Sequence, residues 1–103
     1  MNILITGVHG FVGSNLVKAL APNNVIYGLD IVSPEKEGVA RTFNWDDLDN
    51  GSIPDIDAVI HLAGKAHDTR NKSAADVYFK VNTGLTQRIF DWFLANKTAT
   101  KFI

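Results

Sequence analysis

The sequence predicts an α/β fold built on a parallel sheet. Three observations carry this reading. Short β-branched and apolar runs alternate with segments of helical spacing. The first run passes through a glycine-rich turn straight into a helix. The 103 residues suit one small domain, and 46% hydrophobic content suffices for a packed core.

The elements follow in order. Asn2 to Thr6 is an apolar, β-branched run that reads as a strand buried on both faces. Gly7 to Gly13 is the glycine-rich turn, and Phe11 to Ala21 carries apolar residues at helical spacing until Pro22 stops it. Val25 to Leu29 is a second strand, ending at Asp30. Ser33 to Gly38 is too short and polar for a crossover helix, so that connection is expected to be loop-like. Val39 to Phe43 is a weaker third strand, Trp45 to Ser52 an acidic loop or single helical turn, and Ala58 to Leu62 a fourth strand. Ala66 to Lys72 reads as polar and mobile.

Ser73 to about Asn96 is the longest helix, with Ser73 and Asp76 as a candidate cap. Val77, Val81, Leu85, Ile89 and Trp92 form one apolar stripe, and Phe79, Phe90 and Leu94 form another on the opposite side. A helix covering a sheet needs one stripe. The second asks for a partner layer or subunit, or packs under loops. Thr98 to Ile103 opens a fifth strand that stops short, so the chain is expected to be the front part of a longer protein.

Composition narrows the function. Ten Lys and Arg against eleven Asp and Glu give a net charge of -1, without the basic excess of a nucleic-acid surface. The absence of cysteine excludes disulfides, thiolate metal sites and Cys nucleophiles. No apolar run approaches the roughly 20 residues of a membrane span. No Lys or Arg precedes the first apolar stretch, so it is not a secretory signal. The expected setting is cytoplasmic, with neither nucleic acid nor membrane as partner. His61 and His67 lack a zinc-site spacing, and no metal is expected.

Thr6 to Gly13, Thr-Gly-Val-His-Gly-Phe-Val-Gly, is the most informative segment. Gly7 lets the chain turn out of the strand, Gly10 lets backbone approach a pyrophosphate, and Gly13 lets the helix lie close to the sheet. The N–H groups of Phe11 and Val12 open the helix, where unpaired donors and the dipole favour an anion. Asp30 ends the second strand 17 residues after Gly13. Its carboxylate can accept bonds from both adenosine ribose hydroxyls and would repel a 2′-phosphate, which favours NAD over NADP. Asp30 and the adjoining Ile31 are thus candidate ribose-side residues. His9 faces either solvent or the phosphates. The fold expected is a Rossmann-like doubly wound parallel sheet, truncated after the start of its fifth strand.

The set of motifs resembles the NAD-dependent epimerase/dehydratase family of extended short-chain dehydrogenases/reductases. The Gly-x-x-Gly-x-x-Gly spacing after Thr6 is similar to that family's fingerprint. Asp47-Leu48 resembles its adenine-recognising pair, a carboxylate and a backbone N–H. His61-Leu62-Ala63-Gly64 is similar to its His-hydrophobic-Ala-Ala/Gly segment, whose backbone lines the cofactor. Asn82 to Gly84 resembles its Asn-x-x-Gly-Thr helix motif, although Gly84 comes one residue early. Lys65 lies one position from a lysine that reaches the nicotinamide-side ribose in related epimerases.

The resemblance implies hydride transfer between NAD and a nucleotide-sugar, with a Tyr base and a Lys four residues on. Neither Tyr27 nor Tyr78 has that lysine. The catalytic pair is therefore expected beyond Ile103, and the chain by itself is expected to be inactive. The resemblance also implies a homodimer through the helix near residues 73–96. The alternative reading is a non-catalytic dinucleotide-binding sensor or regulatory module of the same fold. His61 reads as a hydrogen-bonded core residue rather than a catalyst, and Asp46 to Asp49 as a solvated acidic loop.

Overall fold

The computed structural model describes residues 1–30, 37–62, 72–96 and 98–103, and of residues 72–83 the backbone alone. The elements are β1 (Asn2–Thr6), α1 (Phe11–Leu20), β2 (Val25–Leu29), β3 (Arg41–Phe43), a 3-10 turn at Trp45–Leu48, β4 (Ala58–His61), α2 (Lys72–Ala95) and β5 (Lys101–Phe102). Among the described residues the strands form one sheet of order β3-β2-β1-β4-β5, with every pair parallel. β1 lies at the centre, with Ile3 opposite Ile26 on one side and Ala58 on the other.

Strand alternation sorts the core into two layers. Ile3, Ile5, Ile26 and Ala58 join Val8 and Val17 on the α1 face. Leu4, Leu29, Phe43 and Val59 join Trp45, Leu48, Ile56 and Ile89 on the α2 face. The sheet is therefore covered on both faces, as the apolar runs of its central strands require.

The expected elements are present with shifted ends. Regular β3 is shorter than Val39 to Phe43. Gly38, at φ 85°, turns the chain just before it, although the Ala40 N–H already donates to the Ile26 carbonyl at 2.7 Å. α2 begins at Lys72, so Ser73 lies inside the helix and is not its cap. Of the expected inward stripe, Ile89 is fully buried, and Leu85 and Trp92 pack against the same core. Of the second stripe, Phe90 and Leu94 are 40% and 65% exposed. Phe90 also meets Phe93 and, edge-on at 5.4 Å, Phe102 of β5. The side chains of Val77, Phe79 and Val81, residues 33–36 of the connection read at Ser33 to Gly38, and residues 66–71 of the one read at Ala66 to Lys72 lie outside the described residues.

Candidate cofactor site

All five strands point their C-terminal ends the same way, so Gly7, Asp30, Asn44, Leu62 and Ile103 each follow a strand on one edge of the sheet. After β1 the chain crosses on one face towards β2. After β4 it crosses on the other, so the two directions part between β1 and β4. Such a switch point opens a crevice at the strand ends.

The glycine loop is built by contacts that side chains would obstruct. Gly7 leaves β1 at φ 69°, and its N–H donates to the Leu29 carbonyl at 2.8 Å. A Cβ on Gly13 would stand 2.7 Å from the Gly7 oxygen, 2.8 Å from the Val8 oxygen and 2.9 Å from the Val8 Cα. The N-terminus of α1 can approach β1 only because Gly13 has no side chain. Gly10 precedes α1 in extended backbone. No side chain caps the helix there, and no acidic residue occupies its first turn. Phe11 and Val12 are 85% and 55% exposed, so the helix end opens on the surface. An anion placed there would meet backbone donors and the positive end of the dipole.

Asp30 is half-buried beside this loop. One carboxylate oxygen accepts the His9 N–H at 3.0 Å, and its own N–H donates to the Phe43 carbonyl at 3.0 Å. The loop and the end of β2 are thereby locked together, with the carboxylate against the glycine turn. His9 turns its ring inward. Its Nε2 is buried without a hydrogen-bond partner among the described residues. The open helix end, the adjoining carboxylate and this orphaned nitrogen all fit a dinucleotide with an adenosine ribose at β2.

Asp47 follows β3 and is held locally. It accepts the Asn44 N–H at 3.0 Å and the Asn50 side-chain amide at 3.0 Å, and it donates its own N–H to Asn44 Oδ1 at 3.1 Å. This capping box fixes the 3-10 turn. The bonds from Asn50 and then Asn44 hold the Asp47 carboxyl below the usual carboxylate range. An adenine amine would have to share an oxygen already used. Leu48 turns its side chain into the core.

Leu62 follows β4, and its N–H donates to Thr6 Oγ1 at 3.0 Å. His61 is bonded at both ring nitrogens, by Nδ1 to Thr6 Oγ1 at 2.7 Å and by Nε2 to Thr86 Oγ1 at 3.0 Å. Burial pushes its imidazole below the ordinary histidine range. Ile31, Ala63, Gly64, Lys65 and the Asn82 side chain lie outside the described residues. Among the described residues a Cβ on Gly84 would meet nothing within 4 Å, so no close packing among them calls for that glycine.

Three residues carry more structure than their sequence positions suggest. Val8 is fully buried, and a Cβ on Gly28 would stand 2.6 Å from its Cγ1. A glycine in the middle of an apolar strand is the available signal for such an approach. Thr86 stands four residues after Asn82, the Thr place of Asn-x-x-Gly-Thr, with Leu85 at the glycine place.

The family model for the NAD dependent epimerase/dehydratase family matches residues 3–103. The dTDP-glucose 4,6-dehydratase of Streptomyces griseus is 29% identical over 87% of this chain and 33% of its own length. The UDP-glucuronic acid 4-epimerase of Bacillus cereus, solved as a variant with NAD and a UDP-sugar analogue, superposes with a TM-score of 0.74. Its identity is 28%, over 99% of this chain and 38% of that one. The UDP-N-acetylglucosamine 4-epimerase of Bacillus cereus gives a TM-score of 0.72 at 26% identity, over 99% of this chain and 37% of that one. The chain thus spans about a third of the length of these relatives. The glycine loop, the carboxylate that closes β2 and the sheet order have one common explanation: this chain belongs to the NAD-dependent epimerase/dehydratase family.

Proposed function

We propose that residues 1–103 are the N-terminal part of an NAD-binding Rossmann domain and hold the ADP portion of the cofactor for a nucleotide-sugar epimerase or dehydratase. One observation carries this most: the Asp30 carboxylate is tied by the His9 N–H to the glycine loop, 3.0 Å away. The group that would recognise ribose hydroxyls is thereby fixed beside the backbone that would receive a pyrophosphate. A carboxylate there disfavours a 2′-phosphate, so NAD is selected over NADP.

When bound, NAD would accept a hydride from a sugar carbinol and, once reduced, could return it to the oxidised sugar. The residues of this chain bind and orient. Gly7, Gly10 and Gly13 shape the turn, and the N–H groups of Phe11 and Val12 face the anion. Asp47 and Leu48 border the adenine end and Leu62 follows β4 beside the switch point, while Ala63, Gly64, Lys65 and Asn82 join the cofactor set by their motif positions alone. Tyr27 packs against Phe43, with ring centroids 6.2 Å apart, and has no lysine four residues on. The proton-transfer groups belong to another part of the protein, and this chain alone binds without turnover. The exposed Phe90 and Leu94 face of α2 supports self-association into a homodimer, working in the cytoplasm on nucleotide-sugars.

Calorimetric titration with NAD and NADP tests the reading. NAD should bind more tightly than NADP, and Asp30→Asn should abolish the preference. No binding of either at millimolar ligand would overturn the assignment of the loop. Sedimentation showing monomer alone at high concentration would remove the dimer.

A further inference from the structure

We propose that Thr6, His61 and Thr86 are positioning residues for the nicotinamide half of the cofactor, acting through the point where the chain leaves β4. This rests on the reading of the chain as an NAD-binding unit. Asp30 fixes the adenosine end beside β2, and the pyrophosphate belongs at the start of α1, after β1. A dinucleotide laid across the strand ends at the switch point therefore brings its second nucleotide over β4.

Side chains join three elements at that place. Thr6 is fully buried at the end of β1 and shares a 2.7 Å hydrogen bond with Nδ1 of His61. Nε2 of the same ring shares a 3.0 Å bond with Thr86 of α2. The Leu62 N–H, the first beyond β4, donates to Thr6 at both Oγ1 (3.0 Å) and the carbonyl (3.2 Å). The exit of β4 is thus pinned to β1, and the preceding imidazole is gripped from two sides. α2 does not need the Thr86 bond to stay on the sheet, because Ile89 is fully buried there and Leu85 and Trp92 pack beside it. The Thr86 bond instead fixes the plane of the His61 ring, and through it the backbone that the second nucleotide would touch.

The test compares NAD with ADP as ligands of the 103-residue chain, using Thr86→Val and Thr86→Ser. Thr86→Val should weaken NAD binding roughly three- to tenfold, the worth of one hydrogen bond. It should leave ADP within about twofold, and Thr86→Ser should restore NAD binding. A purely structural role would weaken both ligands alike, and that result overturns the proposal. So does an unchanged NAD affinity, or NAD binding no tighter than ADP in the unaltered chain. Binding of neither ligand to the unaltered chain would instead sink the NAD-binding reading, and this proposal with it. Should Thr86→Val fail to fold, Thr86→Ala carries the same comparison.

Discussion

Replacing Gly13 by alanine separates helix propensity from close approach. Gly13 sits in the first turn of α1, where propensity alone would favour alanine by about 1 kcal/mol. The added methyl, however, would meet three atoms at 2.7, 2.8 and 2.9 Å, all of them backbone in the loop that leaves β1. None can rotate away, so α1 must lift or the loop must shift. Overpacking of this kind costs about 1–3 kcal/mol, and rigid neighbours put it at the upper end. The expected net loss is about 2 kcal/mol, a large share of the roughly 5–15 kcal/mol a domain possesses. Urea unfolding followed by the fluorescence of Trp45 and Trp92 should show the midpoint falling by roughly 1 M with an unchanged slope. Gly84→Ala is the control. It is also helical, its Cβ would enter open space, and it should gain about 0.5–1 kcal/mol. A Gly13→Ala midpoint equal to or above the parent's would refute the reasoning, as would both variants shifting in the same direction.

Gly28→Ala should cost about 1–2 kcal/mol because its methyl would meet Val8 Cγ1 at 2.6 Å. In a Val8→Ala background most of that cost should go, leaving the 3.2 Å approaches of Thr42 Oγ1 and the residue-8 Cβ, and simple additivity would disprove the Cγ1 contact. Burial holds the His61 imidazole below its ordinary 6.5, so the unfolded chain takes up that proton first as pH falls. Stability is then full above about pH 6.5 and declines as pH drops through the lower folded value. His61→Gln should flatten the slope between pH 8 and 5.5, and a slope left intact would assign it to another group. Arg88 donates to the Trp45 carbonyl at 2.8 Å and to Asp49 at 3.1 Å. Arg88→Ala should cost about 1 kcal/mol, chiefly through the Trp45 bond, whereas Asp49→Asn should cost almost nothing because that ion pair is exposed. An equal loss in both variants would reverse that division.

β1, α1, β2 and β4 were legible because each buries a repeating set of side chains, and burial is what hydrophobic period records. The glycine loop was legible for a related reason, since its spacing follows from backbone geometry. β3 was harder to bound. Its three residues sit at the sheet edge, and Gly38 rather than any apolar pattern sets where pairing begins. Phe93 falls on neither stripe of α2, yet it packs against the core and meets Phe102 at 5.3 Å. Only the position of β5 makes that contact possible, and one helix read alone does not contain it. The site divides similarly. Asp30 stands where its place in the sequence put it. Asp47 is drawn into a capping box with Asn44, a local competition that the Asn44-x-x-Asp47 spacing does record. The Thr6–His61–Thr86 linkage joins residues 55 and 25 positions apart, which no local pattern reports.

The central place of β1 also sets an order of assembly. Its partners lie 23 positions away in β2 (Asn2 and Val25) but 55 away in β4 (Ile3 and Ala58). Closing the longer loop costs about 0.8 kcal/mol more in chain entropy. The β1–α1–β2 unit, with the glycine loop inside it, is therefore expected to form ahead of the β4 pairing. Val8→Ala should then slow folding, while Ile89→Val should chiefly speed unfolding, and the opposite pattern would place the nucleus elsewhere. On this order, the half of the crevice proposed to receive an anion exists during folding before the other half has a wall.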